Sequence, residues 1–328
     1  MTQGTLVPTR ILAVLDDTEE QGALLTAAGL AGRHDAKVEA FCCVEPPHDL
    51  AVIARLSGRE TEEVMRALVA AKRAEAQSRL EELLPSREVS LHVGVGKTFI
   101  EIIRHVILHR CDFVIKRAEP LSGIHGLLYA STDQHLLRKC PCPVWLQTSE
   151  QANLPKRVIA AVDVDIADAA EPETLWGLNH RVIEAARCVA TGPRAEIRVL
   201  NAWDATGEGM VWAFASDSGS QVSADMYVNE VMQARHRAMD DLLGSMGNGS
   251  DDQSSPTLTP RLERGTPEQV IIDQCQAFGA DLVVMGTVAR TGLSGFFIGN
   301  TAENIINSLE CPVLAVKPDG FGSTLDPR

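Results

Sequence analysis

The feature that most constrains this chain is an internal repeat. Residues 112–136 read DFVIKRAEPLSGIHGLLYASTDQHL, and residues 281–305 read DLVVMGTVARTGLSGFFIGNTAENI. The two align without a gap at an offset of 169, and the match runs on to Cys142-Pro143-Val144 and Cys311-Pro312-Val313. Each copy reads as a buried strand, a glycine-punctuated loop and a helix start. A chain of 328 residues carrying one pattern twice is read as two domains of ordinary size, 1–152 and 153–328, joined through the polar stretch QTSEQANLPKR.

The order of elements agrees. In the first copy RILAVLDD, KVEAFCCVE, REVSLHVGV, DFVIK and PVWLQ read as strands. Helices are expected after Thr18 as N-cap, then over Glu60–Leu84, Thr98–Arg110 and Ser131–Lys139. The second copy repeats this with strands RVIAAVD, AEIRVLNAW, TLTPRL, DLVVMG and CPVLAVK, and helices over Glu173–Thr191, Val222–Leu243, Thr266–Phe278 and Thr301–Leu309. Pro260 cannot donate to a ladder, so TLTPRL is placed at a sheet edge. Apolar, β-branched strands alternating with helices predict an α/β fold, two tandem doubly wound parallel sheets buried on both faces. Two similar domains also predict a pseudo-two-fold pairing, like a homodimer fused into one chain.

Composition excludes several function classes. The net charge is −14, which repels nucleic acid and anionic membrane alike. It also opposes nucleotide phosphates, so a phosphate site here must rely on oriented backbone N–H groups or a local Arg. Eight cysteines lie mostly in apolar segments and form no CxxC; they are read as reduced, buried thiols. The start MTQGTLVPTRILAVLDD shows no basic region followed by a long apolar run, and no segment approaches a membrane-spanning length. A cytoplasmic location is expected.

These residues resemble the universal stress protein family in its tandem-domain form, over nearly the whole chain. The strands ending in Asp (AVLDD, AAVDVD) resemble the family's opening, and GNTAENIINSLECPVLAVKPDG its closing helix and strand. The resemblance implies a five-stranded sheet of order 3-2-1-4-5 in each domain and a nucleotide, ATP or another adenine nucleotide, beside strands one and four. The nucleotide-binding branch carries Gly, two residues, Gly, nine residues, then Gly and Ser or Thr. A physical argument reaches the same place: strand order reverses between strands one and four, and ligands bind at the carboxyl ends flanking such a reversal.

In the second copy Gly286 and Gly299 stand at the family spacing. Ala289 replaces the middle glycine, and Asn300-Thr301 takes the place of Gly-Ser/Thr. The cofactor-binding candidates are therefore Asp163, Gly286, Ala289, Arg290, Gly299, Asn300 and Thr301. Without GK[ST] the loop is not a Walker loop. The first copy departs further, with Arg117, Pro120 and Ala130 at the corresponding positions, so no ligand is assigned to it. Features of both copies, the pairs Gly123/Gly292 and Gly126/Gly295 and the capping boxes at Ser131–Gln134 and Asn300–Glu303, read as turn and cap geometry. Gly286 and Gly299, present in one copy only, read as room either for a ligand or for backbone relief.

Other residues carry blander readings. Asp16 and Asp163 suit a ligand or a cap, and Arg290 suits a phosphate or solvent. Cys140 and Cys142 read as packing at the last strand. His105 and His109 share a helix face at i, i+4, but without a third ligand no metal site is assigned. WDATGEGMVWAF reads as a cleft lining, an oligomer contact or a lid. No catalytic acid, base and metal set is recognisable. The expected function is a stress-response protein binding adenine nucleotide in its second domain without turnover. The alternative is a scaffold or apolar-ligand binder, with or without a homodimer, in which both loops are structural.

Overall fold

A computed structural model describes residues 6–17, 19–119, 131–148, 152, 154–166, 169–192, 194–218, 224–247, 256–287, 299–323 and 325. The chain forms two compact units, Met1–Leu154 with Glu310–Arg328, and Pro155–Leu309.

The first unit runs β1 (Arg10–Val14), α1 (Gly22–His34), β2 (Lys37–Val44), α2 (Leu50–Ser57), α3 (Thr61–Leu83), β3 (Ser90–Val95), α4 (Thr98–His109), β4 (Phe113–Arg117), α5 (Ser131–Lys139) and β5 (Val144–Gln147). Its strands lie in the order β3-β2-β1-β4-β5, all parallel, with Ile11 in register with Val38 on one side and Phe113 on the other. Ile11, Leu12, Phe113, Val114 and Ile115 are fully buried, as a sheet covered on both faces requires.

The second unit runs β6 (Arg157–Ala161), α6 (Pro172–Val189), β7 (Glu196–Trp203), α7 (Glu208–Ser218), α8 (Ala224–Ser245), β8 (Thr257–Arg264), α9 (Pro267–Phe278), β9 (Leu282–Gly286) and α10 (Asn300–Ser308). Its parallel strands follow β9-β6-β7-β8. Pro260 does lie on the edge strand β8, opposite Val199. The last strand of the sequence, β10 (Val313–Val316), belongs to the first unit and runs antiparallel beside β5, Leu314 opposite Trp145. The second repeat therefore ends in the other unit, whereas the sequence placed residues 153–328 together.

The closing elements of the repeat recur in the same order. β4, α5 and β5 recur as β9, α10 and β10 at the offset of 169. The Asp preceding strand four does the same work twice. Asp112 Oδ2 accepts from Thr9 N and Arg10 N at 2.6 and 2.8 Å. Asp281 Oδ2 accepts from Lys156 N and Arg157 N, both at 2.9 Å. Each carboxylate pins the start of strand one to the start of strand four.

Some local expectations shift. Thr18 lies outside the described residues, and α1 starts after Gln21, not Thr18. The N-cap of α10 is Gly299, one residue before the expected Asn300, with no side-chain cap bond. Helices α2 and α7 were not anticipated. On α3 the buried residues are Val64, Ala76 and Leu80, while Leu68 is exposed.

Candidate functional site

In the second unit β6 pairs with β7 on one side and β9 on the other, so the reversal of strand order falls between β6 and β9. Asp163 follows β6 and Gly286 ends β9, which brings these two candidates to the same end of the sheet. The Asp163 backbone is held by Asn179 of α6. Asn179 Oδ1 accepts from Asp163 N at 3.0 Å, and Asn179 Nδ2 donates to Asp163 O at 2.7 Å. The Asp163 carboxylate accepts from Asp165 N at 3.1 Å, and Asp165 pairs with Arg235 of α8 at 2.6 Å.

Gly286 has a packing reason to be glycine. A Cβ there would lie 2.6 Å from Leu178 Cδ2 of α6, closer than side chains pack. Gly299 has φ −63° and ψ 141°, a conformation open to any residue, so the strain-relief reading fails for it. Its N–H donates to Thr287 O at 3.0 Å and closes the loop, and its carbonyl accepts from Glu303 N at 2.9 Å. Thr301 is exposed in the first turn of α10. Ala289, Arg290, Gly292 and Gly295, with Pro120, Gly123, Gly126 and Ala130 in the first copy, lie outside the described residues, as does the Asn300 side chain.

The first unit fills the same corner with its own charges. Arg117, at the position of Gly286, approaches Asp16 to 4.0 Å. Gln21 Nε2 donates to Asp16 O at 2.7 Å while Gln21 Oε1 accepts from Asp16 N at 3.3 Å, the counterpart of the Asn179 brace. Behind it Lys116 Nζ lies 3.0 Å from Asp133 Oδ1 and donates to Glu119 Oε1 at 2.5 Å. Asp133 Oδ2 accepts from Glu119 N at 2.8 Å. Burial pushes the Asp133 carboxyl up, against the opposing pull of Lys116. In the second copy Lys116 and Asp133 are matched by Met285 and Ala302, both buried.

Cys140 and Cys142 are buried thiols with Sγ atoms 3.6 Å apart. In the aromatic stretch Trp203 is buried beneath Arg264, 5.9 Å from its ring, whereas Met210 and Trp212 on α7 are exposed. The Phe214 side chain lies outside the described residues.

One cluster in the first unit was only half visible in the sequence, which paired His105 with His109 but offered no third member. His105 and His109 stack on α4 with ring centroids 4.1 Å apart. His92 of β3 joins them at 4.4 Å from His105 and 5.0 Å from His109. His105 Nε2 meets Glu39 Oε2 of β2 at 2.6 Å, and Arg10 pairs with the other Glu39 oxygen. Burial pushes the His105 pKa down to about 4 despite that carboxylate. The missing signal was tertiary: His92 becomes visible only once α4 packs on β3.

The two units, each with a reversal in its strand order, define a tandem doubly wound α/β protein. The universal stress protein family model matches residues 8–147 and 178–317, and the chain belongs to that family. It is 28% identical over 324 residues to universal stress protein E of Salmonella typhi and, likewise, of Escherichia coli K12, covering 96% of each chain. A crystal structure of a putative universal stress protein from Pseudomonas aeruginosa matches at TM-score 0.62 and 26% identity, over 96% of this chain and 95% of that one. A functionally unknown Pseudomonas aeruginosa protein matches at TM-score 0.64 and 25% identity, over 96% and 94%. Family membership supports a role in stress response. Among the described residues, no helix is long and apolar enough to cross a membrane.

Proposed function

We propose that this stress-response protein binds one adenine nucleotide per chain, at the carboxyl ends of β6 and β9 in its second unit, without turning it over. The observation that carries this reading is the contrast at one position. Where the first unit sets Arg117 against Asp16, the second has Gly286, which brings no charged side chain of its own to the corner. Asp163, its backbone braced by Asn179, is the group for the ribose or base. The Gly299 N–H is committed to Thr287 O, so the phosphate donors are the first-turn N–H groups of α10 at Asn300, Thr301 and Ala302, which have no intrahelical acceptor. The sequence adds Ala289 and Arg290 as candidates, Arg290 as the local cation that the net negative charge calls for.

The second reading, a scaffold with purely structural loops, draws on the Leu178 contact, which accounts for Gly286 without a ligand. Calorimetric titration of the full chain with ATP and ADP separates the two. Binding of one nucleotide per chain, lost in Thr301→Glu, supports the site. That variant places a negative charge where a helix start favours it, so the fold is retained while phosphate is repelled. No heat at millimolar nucleotide overturns the nucleotide reading.

A further inference from the structure

We infer that His92, His105 and His109 form a binding site for a divalent transition-metal ion of the zinc class in the first unit. One ligand atom from each histidine lies within 4.8 Å of the others. A tetrahedral ion bound to imidazole nitrogens at about 2.0–2.1 Å spaces its donors at roughly 3.3 Å. Closing that difference takes small ring rotations on three side chains. The backbone already sets the geometry: α4 presents two rings one turn apart, stacked at 18°, and β3 brings the third against them.

The surroundings fit a metal-ligating histidine better than a packed one. His105 is buried and bonded to the carboxylate of Glu39, the partner that holds a ligating imidazole in orientation. Glu39 is itself fixed by Arg10 through its other oxygen. His109 makes ring contacts with His92 and His105 and, among the described residues, no hydrogen bond. His92 is about one-third exposed (33%) and His109 is half-buried, so an ion has a path from solvent. Three protein ligands leave one position for water or another exchangeable group, the pattern of an open site. Imidazole donors select zinc, copper or nickel over magnesium and calcium. Glu39 acts here as a positioning residue.

The test uses full-length protein stripped with chelator and dialysed. Titration with Zn2+ is expected to give one ion per chain, unaffected by excess Mg2+, and to raise the melting temperature by mass action. Glu39→Gln is expected to weaken binding about 10–100-fold with the stoichiometry kept. The double variant His92→Gln/His109→Gln loses the ion and the thermal shift, while His180→Gln in the second unit changes neither. A Co2+ absorption spectrum of the wild type is independent of any variant's folding; it is expected to show a tetrahedral site without a thiolate charge-transfer band. Zinc binding that survives the double variant, a thiolate band, or no stoichiometric zinc at all overturns the proposal.

Discussion

Asn179 bonds both the N–H and the carbonyl of Asp163 through one side-chain amide, at 3.0 and 2.7 Å. Gln21 does the same for Asp16 at 3.3 and 2.7 Å. The two amides come from different residue types, yet each fixes the chain where it leaves strand one. Gln21 accepts a left-handed backbone, φ 44°, to do so. Asn179→Ala strands a part-buried N–H and carbonyl and is expected to cost about 1–3 kcal/mol, read as a lowered urea midpoint. An unchanged midpoint would show that solvent or a neighbour replaces the amide.

Lys116 and Asp133 form a buried ion pair where the second copy has Met285 and Ala302. Lys116→Met alone leaves Asp133 without its cation and is expected to cost about 3–5 kcal/mol. Adding Asp133→Ala recreates the apolar pair and is expected to restore most of that loss. A double-mutant cycle by denaturant unfolding measures the coupling; simple additivity of the two losses would refute it.

Gly286→Ala sets a methyl against Leu178. Overpacking of this kind costs about 1–3 kcal/mol. Leu178→Ala in the same chain removes the clash, so the pair of substitutions should lie above the sum of the singles. If Gly286→Ala is neutral in stability yet abolishes nucleotide binding, the glycine serves the ligand and not the helix.

Lys317 is buried, donates to the Leu137 carbonyl, and is pushed by desolvation from 10.5 to about 8. Below pH 8 it is protonated folded and unfolded, and the cost of burying the charge is fully present. Between about 8 and 10.5 the unfolded chain binds more protons, so this residue's contribution makes stability rise with pH. The shift corresponds to about 3 kcal/mol. Lys317→Met should exceed wild type most at neutral pH, and the difference should narrow toward pH 10.5. A difference that is flat across that range contradicts the depressed pKa.

The sheet was legible because its signal is local: apolar β-branched runs bounded by Gly, Pro and Asp, repeated at a fixed offset. The edge position of β8 was legible from Pro260 alone. The site was legible only to the point of naming which residues share a strand end. That Gly286 faces Leu178, that Arg117 reaches Asp16 and that His92 meets His105 depend on pairs of residues far apart in the chain, which no local pattern encodes. The cap of α10 was misplaced by one residue because Gly299 needs no side chain to start a helix.

Strand β10 has a consequence for how the molecule is made. The first unit is discontinuous: its antiparallel partner for β5 is supplied by residues 310–328. During synthesis that edge of β5 stays open, a template for association with other chains, until residues 310–328 have been made. Loss of residues 310–328 would therefore damage the unit encoded first.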